Sequence, residues 1–456
     1  MKKLSVVFVA LTMVFAFSVA AMAAQALIYS ELERLPTPPT KSLEIYGSVR
    51  VGTYWITSDK EINSPASLTS ASGRGQNFDD SDLLWQLDEG ASRFGVRFKS
   101  GKVGGTVEIR PRDQNANSYS GTNSMMRHWY GTYDMGFGTF IVGQTYTPTW
   151  NPICNECLLG GGGFLDGFGD MGGSVRKPGL QLHMPIKSLN GLLKLALLEP
   201  TSSVKTPGSA NTQAVAGLPT ALTVGGPGGT LNYLGYGALN PPAQAALPAN
   251  WGAIDQTLPA IEGSISAAYG PTSWTFRAAY NTFDIKNVVT DSTESIDTYL
   301  GALDGTYSLG PFYLKGVFYY GQNLTSLGNH SPSSQSGFGF LPALYTTTAG
   351  GVDVEDTDNW GWFGVAGYKF NDVVSVEAGY GERHAEQDNP LLGGTNKDTH
   401  KCFVIFAPIS ITPAFVITPE ILYADFNELE IVRAGGTDTV DRGKQVAYGI
   451  YWRIDF

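Results

Sequence analysis

The sequence has 456 residues, and its 41 acidic against 30 basic side chains leave a net charge of −11. Such an acidic balance speaks against nucleic acid as a partner, and 56 Gly with 22 Tyr and 23 Phe describe a β-rich chain with many turns. Beyond residue 23 no stretch approaches the roughly 18 consecutive apolar residues of a spanning helix, so any membrane crossing falls to strands.

The first 23 residues read as an export signal: Lys2 and Lys3, an apolar run over 4–21, and Ala21-Met22-Ala23 as the small-residue cleavage site. Residues 24–42 read as an N-terminal extension. Positions 26–35 suit two or three helical turns, which Pro36, Pro38 and Pro39 end.

From residue 43 onward the pattern is strand after strand. Over 43–55, Leu43, Ile45, Val49, Val51 and Trp55 point one way, and Glu44, Tyr46, Ser48 and Arg50 the other. Over 92–99, Phe94, Val96 and Phe98 oppose Arg93, Arg97 and Lys99; over 103–112, Val103, Val107 and Ile109 oppose Thr106, Glu108, Arg110 and Arg112. Further strands are predicted over 127–135, 139–146, 178–185, 191–199, 258–270, 273–284, 295–310, 311–322, 358–370, 372–384, 398–409, 412–425 and 443–456, which makes sixteen. The last alternates an apolar face (Tyr448, Ile450, Trp452, Ile454, Phe456) with a face of small and charged residues, and the sequence offers nothing further to cover the apolar side.

The connections alternate long and short, eight against seven. Short turns at one end and long loops at the other, with an even strand number, are the asymmetry of a transmembrane antiparallel β-barrel. Closure also removes the edge strands of an open sheet. Outward aromatics fall in two bands. Trp55, Tyr320, Trp360, Trp362, Tyr380 and Tyr423 lie towards the long-loop rim, and Tyr269, Trp274, Tyr307, Phe312, Phe370 and Phe456 towards the other.

Three segments, LEIYGSVR at 43–50, SRFGVRFK at 92–99 and GFGTFIVGQTYTP at 136–148, together with the terminal Phe456, resemble the general diffusion porins of Gram-negative outer membranes. The resemblance implies a homotrimer of sixteen-strand barrels in the outer membrane, with the third long loop folded into the lumen; residues 24–42 read instead as a periplasmic extension, or as a short helix docked on a partner or in the barrel mouth. Implied partners are small hydrophilic solutes, ions and outer-membrane lipids, with no cofactor. Where the family usually carries Arg, this sequence has Gln144, and the N-terminal extension and the Gly-, Ala- and Pro-rich loop 200–257 are also departures.

The constriction is expected at 147–176. Its glycines permit close packing on a barrel wall, and Phe164, Leu165 and Phe168 supply apolar anchors. Glu156, Asp166 and Asp170 would face the inward Arg50, Arg93, Arg97 and Arg110, so that a transverse field selects solutes, with a lean to anions. The competing arrangement has Asp166 and Asp170 as exposed turn residues and the arginines paired with Glu44 and Glu108.

Cys154 and Cys157 form Cys-x-x-Cys, suited to a local disulfide or to free thiols, while Cys402 stands alone. Leu158 replaces the His of a haem-attachment motif, and no further metal ligands lie nearby. The five His (128, 183, 330, 384 and 400) fall in no metal or nucleophile motif, which makes the chain a non-enzyme by expectation. Alternatives to a general porin are a substrate-specific channel, the barrel sheath of a porin–cytochrome conduit, and an outer-membrane lipase or protease recognisable only by side-chain geometry.

Overall fold

The computed structural model describes residues 41–58, 82–87, 91–110, 126–155, 168–171, 176–202, 251–287, 293–327, 342–346, 352–390, 393–433, 436–441 and 444–456. The N-terminal signal and nearly all of the expected extension therefore lie outside the described residues. Lys41 and Ser42 do not belong to that extension; they pair with Ser100 and Lys99 at the start of the first strand.

Sixteen antiparallel strands close into a barrel. They are β1 (Lys41–Ser58), β2 (Arg93–Ser100), β3 (Val103–Ile109), β4 (Met126–Asp134), β5 (Thr139–Tyr146), β6 (Arg176–Ile186), β7 (Gly191–Leu198) and β8 (Ala260–Tyr269). Then come β9 (Thr272–Asn287), β10 (Thr293–Leu309), β11 (Phe312–Gln322), β12 (Thr357–Lys369), β13 (Ser375–Asp388), β14 (Thr395–Phe406), β15 (Phe415–Asp425) and β16 (Lys444–Asp455). Each pairs with its neighbours in sequence, and β16 returns to β1 from Ser48↔Asp455 to Ser58↔Gln445. At the seam, Gly47 and Phe456 exchange backbone hydrogen bonds of 2.8 and 3.0 Å. A closed meander leaves no unpaired edge, so the backbone polar groups of the wall are satisfied within the sheet.

Period-2 alternation accounts for both faces. The outer face is apolar and uncovered: Leu43 is 70% exposed, Ile45 61% and Ile454 52%. Both aromatic bands stand out, with Trp55, Tyr320 and Tyr380 near one rim and Tyr269, Phe370 and Phe456 near the other. Such a surface belongs in hydrocarbon flanked by two interfaces. Among the described residues no helix is long and apolar enough to cross a membrane.

Two features differ from the sequence reading. First, strand structure enters the long connections. Asp82–Leu87 extends the line of β2 along Val51–Ile56 of β1, and Trp251–Asp255 extends that of β8 along β9. Two hairpins also form, Ala343–Thr346 with Val352–Glu355 and Glu428–Arg433 with Gly436–Asp441. A rim ladder already standing above the membrane offers free hydrogen-bonding groups, and adjoining chain completes it. Second, the inner face is not uniformly polar. Leu300, Ala302, Val317, Phe363, Val404, Phe406, Leu422 and Ala424 point inward from β10–β15 and form one buried cluster with Ile153, Phe168, Met171, Leu324 and Leu327 from connecting segments. Inward apolar side chains find apolar partners inside the barrel, since water does not solvate them.

Candidate functional site: the lumen wall and the segments bonded to it

The inner wall of β1–β6 is basic. Arg50 Nε donates to Ser48 Oγ at 2.9 Å. Arg93 Nε lies 3.8 Å from Glu108 Oε2, and Arg97 pairs with Glu44 at 3.1 Å and sits 4.0 Å above the Tyr46 ring. Arg110 follows the end of β3, half-buried. Two of the four expected arginines therefore have the carboxylate partners that the competing arrangement assigned them.

Two further guanidiniums, not anticipated from the sequence, join this wall. β3 and β4 shift register between Glu108↔His128 and Ile109↔Met126, so Arg127 is the extra residue of a bulge. A bulge re-aims a side chain, and Arg127 turns inward to place Nε 2.6 Å from Glu108 Oε1. Tyr46 donates to the other oxygen of Glu108 at 2.9 Å. Arg176 opens β6 and donates from Nη2 to the Tyr146 hydroxyl at 2.6 Å, and Arg127 Nη2 reaches the same oxygen at 3.3 Å. Strict alternation from Trp129 puts Arg127 outside, so only the register shift reveals it.

Across from this wall, the described flanks of the 147–176 connection lie against the inner faces of later strands. The Thr149 amide and hydroxyl donate to Glu262 Oε2 on β8 at 3.1 and 2.6 Å. Arg277 Nη1 on β9 donates to the Pro148 carbonyl at 3.0 Å and is held by Asp304 on β10. Lys315 Nζ on β11 donates to the Ile153 carbonyl at 3.3 Å, and Asn155 Nδ2 donates to Glu377 on β13 at 2.9 Å. Phe168 packs against His400 and Phe426 at ring distances of 5.4 and 5.6 Å. Gly169, at φ +106, sits so close to the Trp362 and Glu382 carbonyls that a β-carbon would collide with both.

Of the three expected loop carboxylates, Glu156 and Asp166 lie outside the described residues. Asp170 is sealed at 1% exposure, not set open to water. It accepts from the backbone N–H groups of Ile153 and Cys154, both at 3.1 Å, and Met171 at 2.8 Å. It thereby clips the outgoing flank to the returning one. Burial pushes its carboxyl up to about 6, against the opposing pull of those three amides. Cys154 is buried beside it, and Cys157 lies outside the described residues, so their pairing does too.

Two connecting segments add to the interior. The turn Leu324–Leu327 after β11 is wholly buried. Thr201 beyond β7 donates to the Ser326 carbonyl at 2.5 Å and receives Lys177 Nζ at 3.1 Å. Two histidines lie between a threonine and a carboxylate. His128 Nδ1 is 3.1 Å from Thr145 Oγ1 and its Nε2 is 3.8 Å from Glu108, while His384 is 3.2 Å from Thr399 and 3.4 Å from Glu382. Both threonines sit within strands, where neighbouring amides serve the ladder and not an oxyanion.

No protein-family model and no curated protein sequence matches the chain. Solved structures do. The outer-membrane channel DcaP of Acinetobacter baumannii aligns over 91% of this chain and 97% of its own at TM-score 0.58 and 14% identity. The anion-selective porin of Comamonas acidovorans aligns over 91% and 100% at TM-score 0.51 and 12% identity. Salmonella typhi OmpF, in complex with daunomycin, aligns over 91% and 97% at TM-score 0.50 and 12% identity. The chain has the fold of the outer-membrane porins.

Proposed function

We propose that the protein is a water-filled outer-membrane channel through which small hydrophilic solutes and ions diffuse passively, with no catalytic step and no cofactor. A porin fold supports the channel. The carrying observation for selectivity is the basic wall, where Arg93 and Arg127 pair with the buried carboxylate Glu108, Arg176 and Arg127 both donate to the Tyr146 hydroxyl, and Arg50 is held by Ser48. A wall with more guanidinium than carboxylate raises the local concentration of anions, whatever the net charge of the chain.

The connection 147–176 narrows the lumen in this reading. Support comes from its described flanks, which hydrogen-bond to inward side chains of β8, β9, β11 and β13. A sheath built to enclose another protein would keep that wall bare. The substrate-specific channel is the second reading, favoured by the apolar cluster and the buried Leu324–Leu327 turn, which leave less room for water than a polar wall would. Assembly as a homotrimer rests on the family resemblance; unheated detergent extracts should run as trimers.

Bilayer recordings in a salt gradient test the function. Arg50→Gln with Arg93→Gln should move the reversal potential towards cations. Absence of any conductance refutes the channel, and an unchanged potential refutes the basic wall as its selectivity element.

A further inference from the structure

We infer that Gln144 is a positioning residue: it holds the bulge of β4 and so keeps Arg127 turned into the lumen, an inference that rests on the basic wall as the selectivity element. Arg127 is the extra residue of that bulge, passed over between Glu108↔His128 and Ile109↔Met126 on the β3 side. On the β5 side the register ends at Trp129↔Gln144, so neither Arg127 nor Met126 has a β5 residue opposite it. The Gln144 side chain continues where the ladder stops. Its Nε2 donates to the Met126 carbonyl at 3.1 Å and to the Arg127 carbonyl at 3.4 Å. Gly143 brings it there. At its φ of +125 a β-carbon would lie 2.2 Å from the Trp129 carbonyl oxygen and 2.8 Å from the Tyr130 Cα, so only glycine lets β5 run this close to β4.

Both acceptors are carbonyl oxygens, so the position requires a side chain that donates N–H. A bulge takes backbone groups out of the ladder, and a carbonyl left without a donor in a barrel wall carries a cost that lipid cannot offset. The same bulge takes Arg127 out of strict alternation and sets its guanidinium 2.6 Å from Glu108. A side chain without donors at 144 withdraws the support from both carbonyls. Residues 126–129 then relax towards regular pairing, Arg127 swings off Glu108, and a carboxylate is left uncompensated in the wall. Gln144 thus acts through the backbone that aims Arg127, not by charge.

The test is a double-mutant comparison on the full chain, with Gln144→Met made in the parent and in a Glu108→Gln, Arg127→Gln background. In a salt gradient Gln144→Met should move the reversal potential of the parent towards cations and leave that of the background where it is. Gln144→Arg, which keeps N–H donors, should not move it towards cations. The readout independent of conductance is the temperature at which the folded band is lost in semi-native gels. Gln144→Met should lower it more in the parent than in the background, because only the parent has an ion pair to strand. If Gln144→Met gives no folded band, Gln144→Asn, which keeps the amide and shortens its reach, replaces it in both. Equal losses in the two backgrounds overturn the proposal, as does a shift in Gln144→Arg as large as in Gln144→Met. So does a potential that Gln144→Met leaves unchanged while Arg50→Gln with Arg93→Gln shifts it. Unequal losses with a potential that none of these variants moves overturn the basic wall and leave the support of the bulge standing.

Discussion

Arg127 Nε and Glu108 Oε1 lie 2.6 Å apart, with both side chains buried in the barrel wall. The pair exists because one extra residue in β4 turns the guanidinium inward. Removing one partner of a buried pair leaves an uncompensated charge, at a cost of about 3–5 kcal/mol. Glu108→Ala should therefore lower the temperature at which the folded band is lost in semi-native gels, and Glu108→Gln should do so less. In a salt gradient the surviving Glu108→Gln channel should be more anion-selective than the parent.

Asp170 should make loop docking depend on pH. Its carboxyl is raised from the ordinary 3.8 to about 6 in the docked state. The docked state therefore holds its proton more tightly than a released one. Docking is strongest below the ordinary value, weakens as pH climbs to about 6, and is level above it. Conductance fluctuations from loop release should grow across that interval. Asp170→Asn should abolish the pH dependence, since nothing titrates there. Asp170→Ala should give frequent release at every pH, because three buried amides lose their acceptor.

Asn323 holds the turn that follows β11. It sits at φ 54, and its amide donates to the Asp297 carbonyl at 2.9 Å and to Asp356 at 2.6 Å while its oxygen receives the Thr357 amide at 2.8 Å. Asn323→Gly keeps the left-handed backbone and loses the bonds. Asn323→Ala loses both and should be the less stable by about 1 kcal/mol. Thermal unfolding of the two variants in detergent should rank them in that order.

Gly47 and Phe456 test closure. The terminal ring covers Gly47, where a β-carbon would collide with it. Gly47→Ala should slow conversion of the unfolded to the folded band during refolding into detergent, because the last ring no longer settles over the seam. Shortening the ring in Gly47→Ala, Phe456→Leu should recover part of the rate. Equal refolding of Gly47→Ala and the parent would remove this contact from the closing step.

The sixteen wall strands were legible because alternation is local: side chains two apart share a face, so Phe94 and Phe98 stand out while Arg93 and Arg97 turn in, whatever lies across the barrel. The terminal strand was legible for the same reason, its apolar face being Tyr448, Ile450, Trp452 and Ile454. What the tertiary structure decided is who meets whom. Arg127 escapes the period because a bulge is set by pairing with β3, not by its own neighbours in sequence. Asp170 reads as a constriction-loop carboxylate facing the arginine wall until the chain closes around it; its burial follows from Ile153, Cys154 and Phe168 being brought onto the far wall. Thr149 finds Glu262 113 residues away. No local pattern encodes such a contact, because its energy depends on desolvation and geometry that exist only once the barrel has closed.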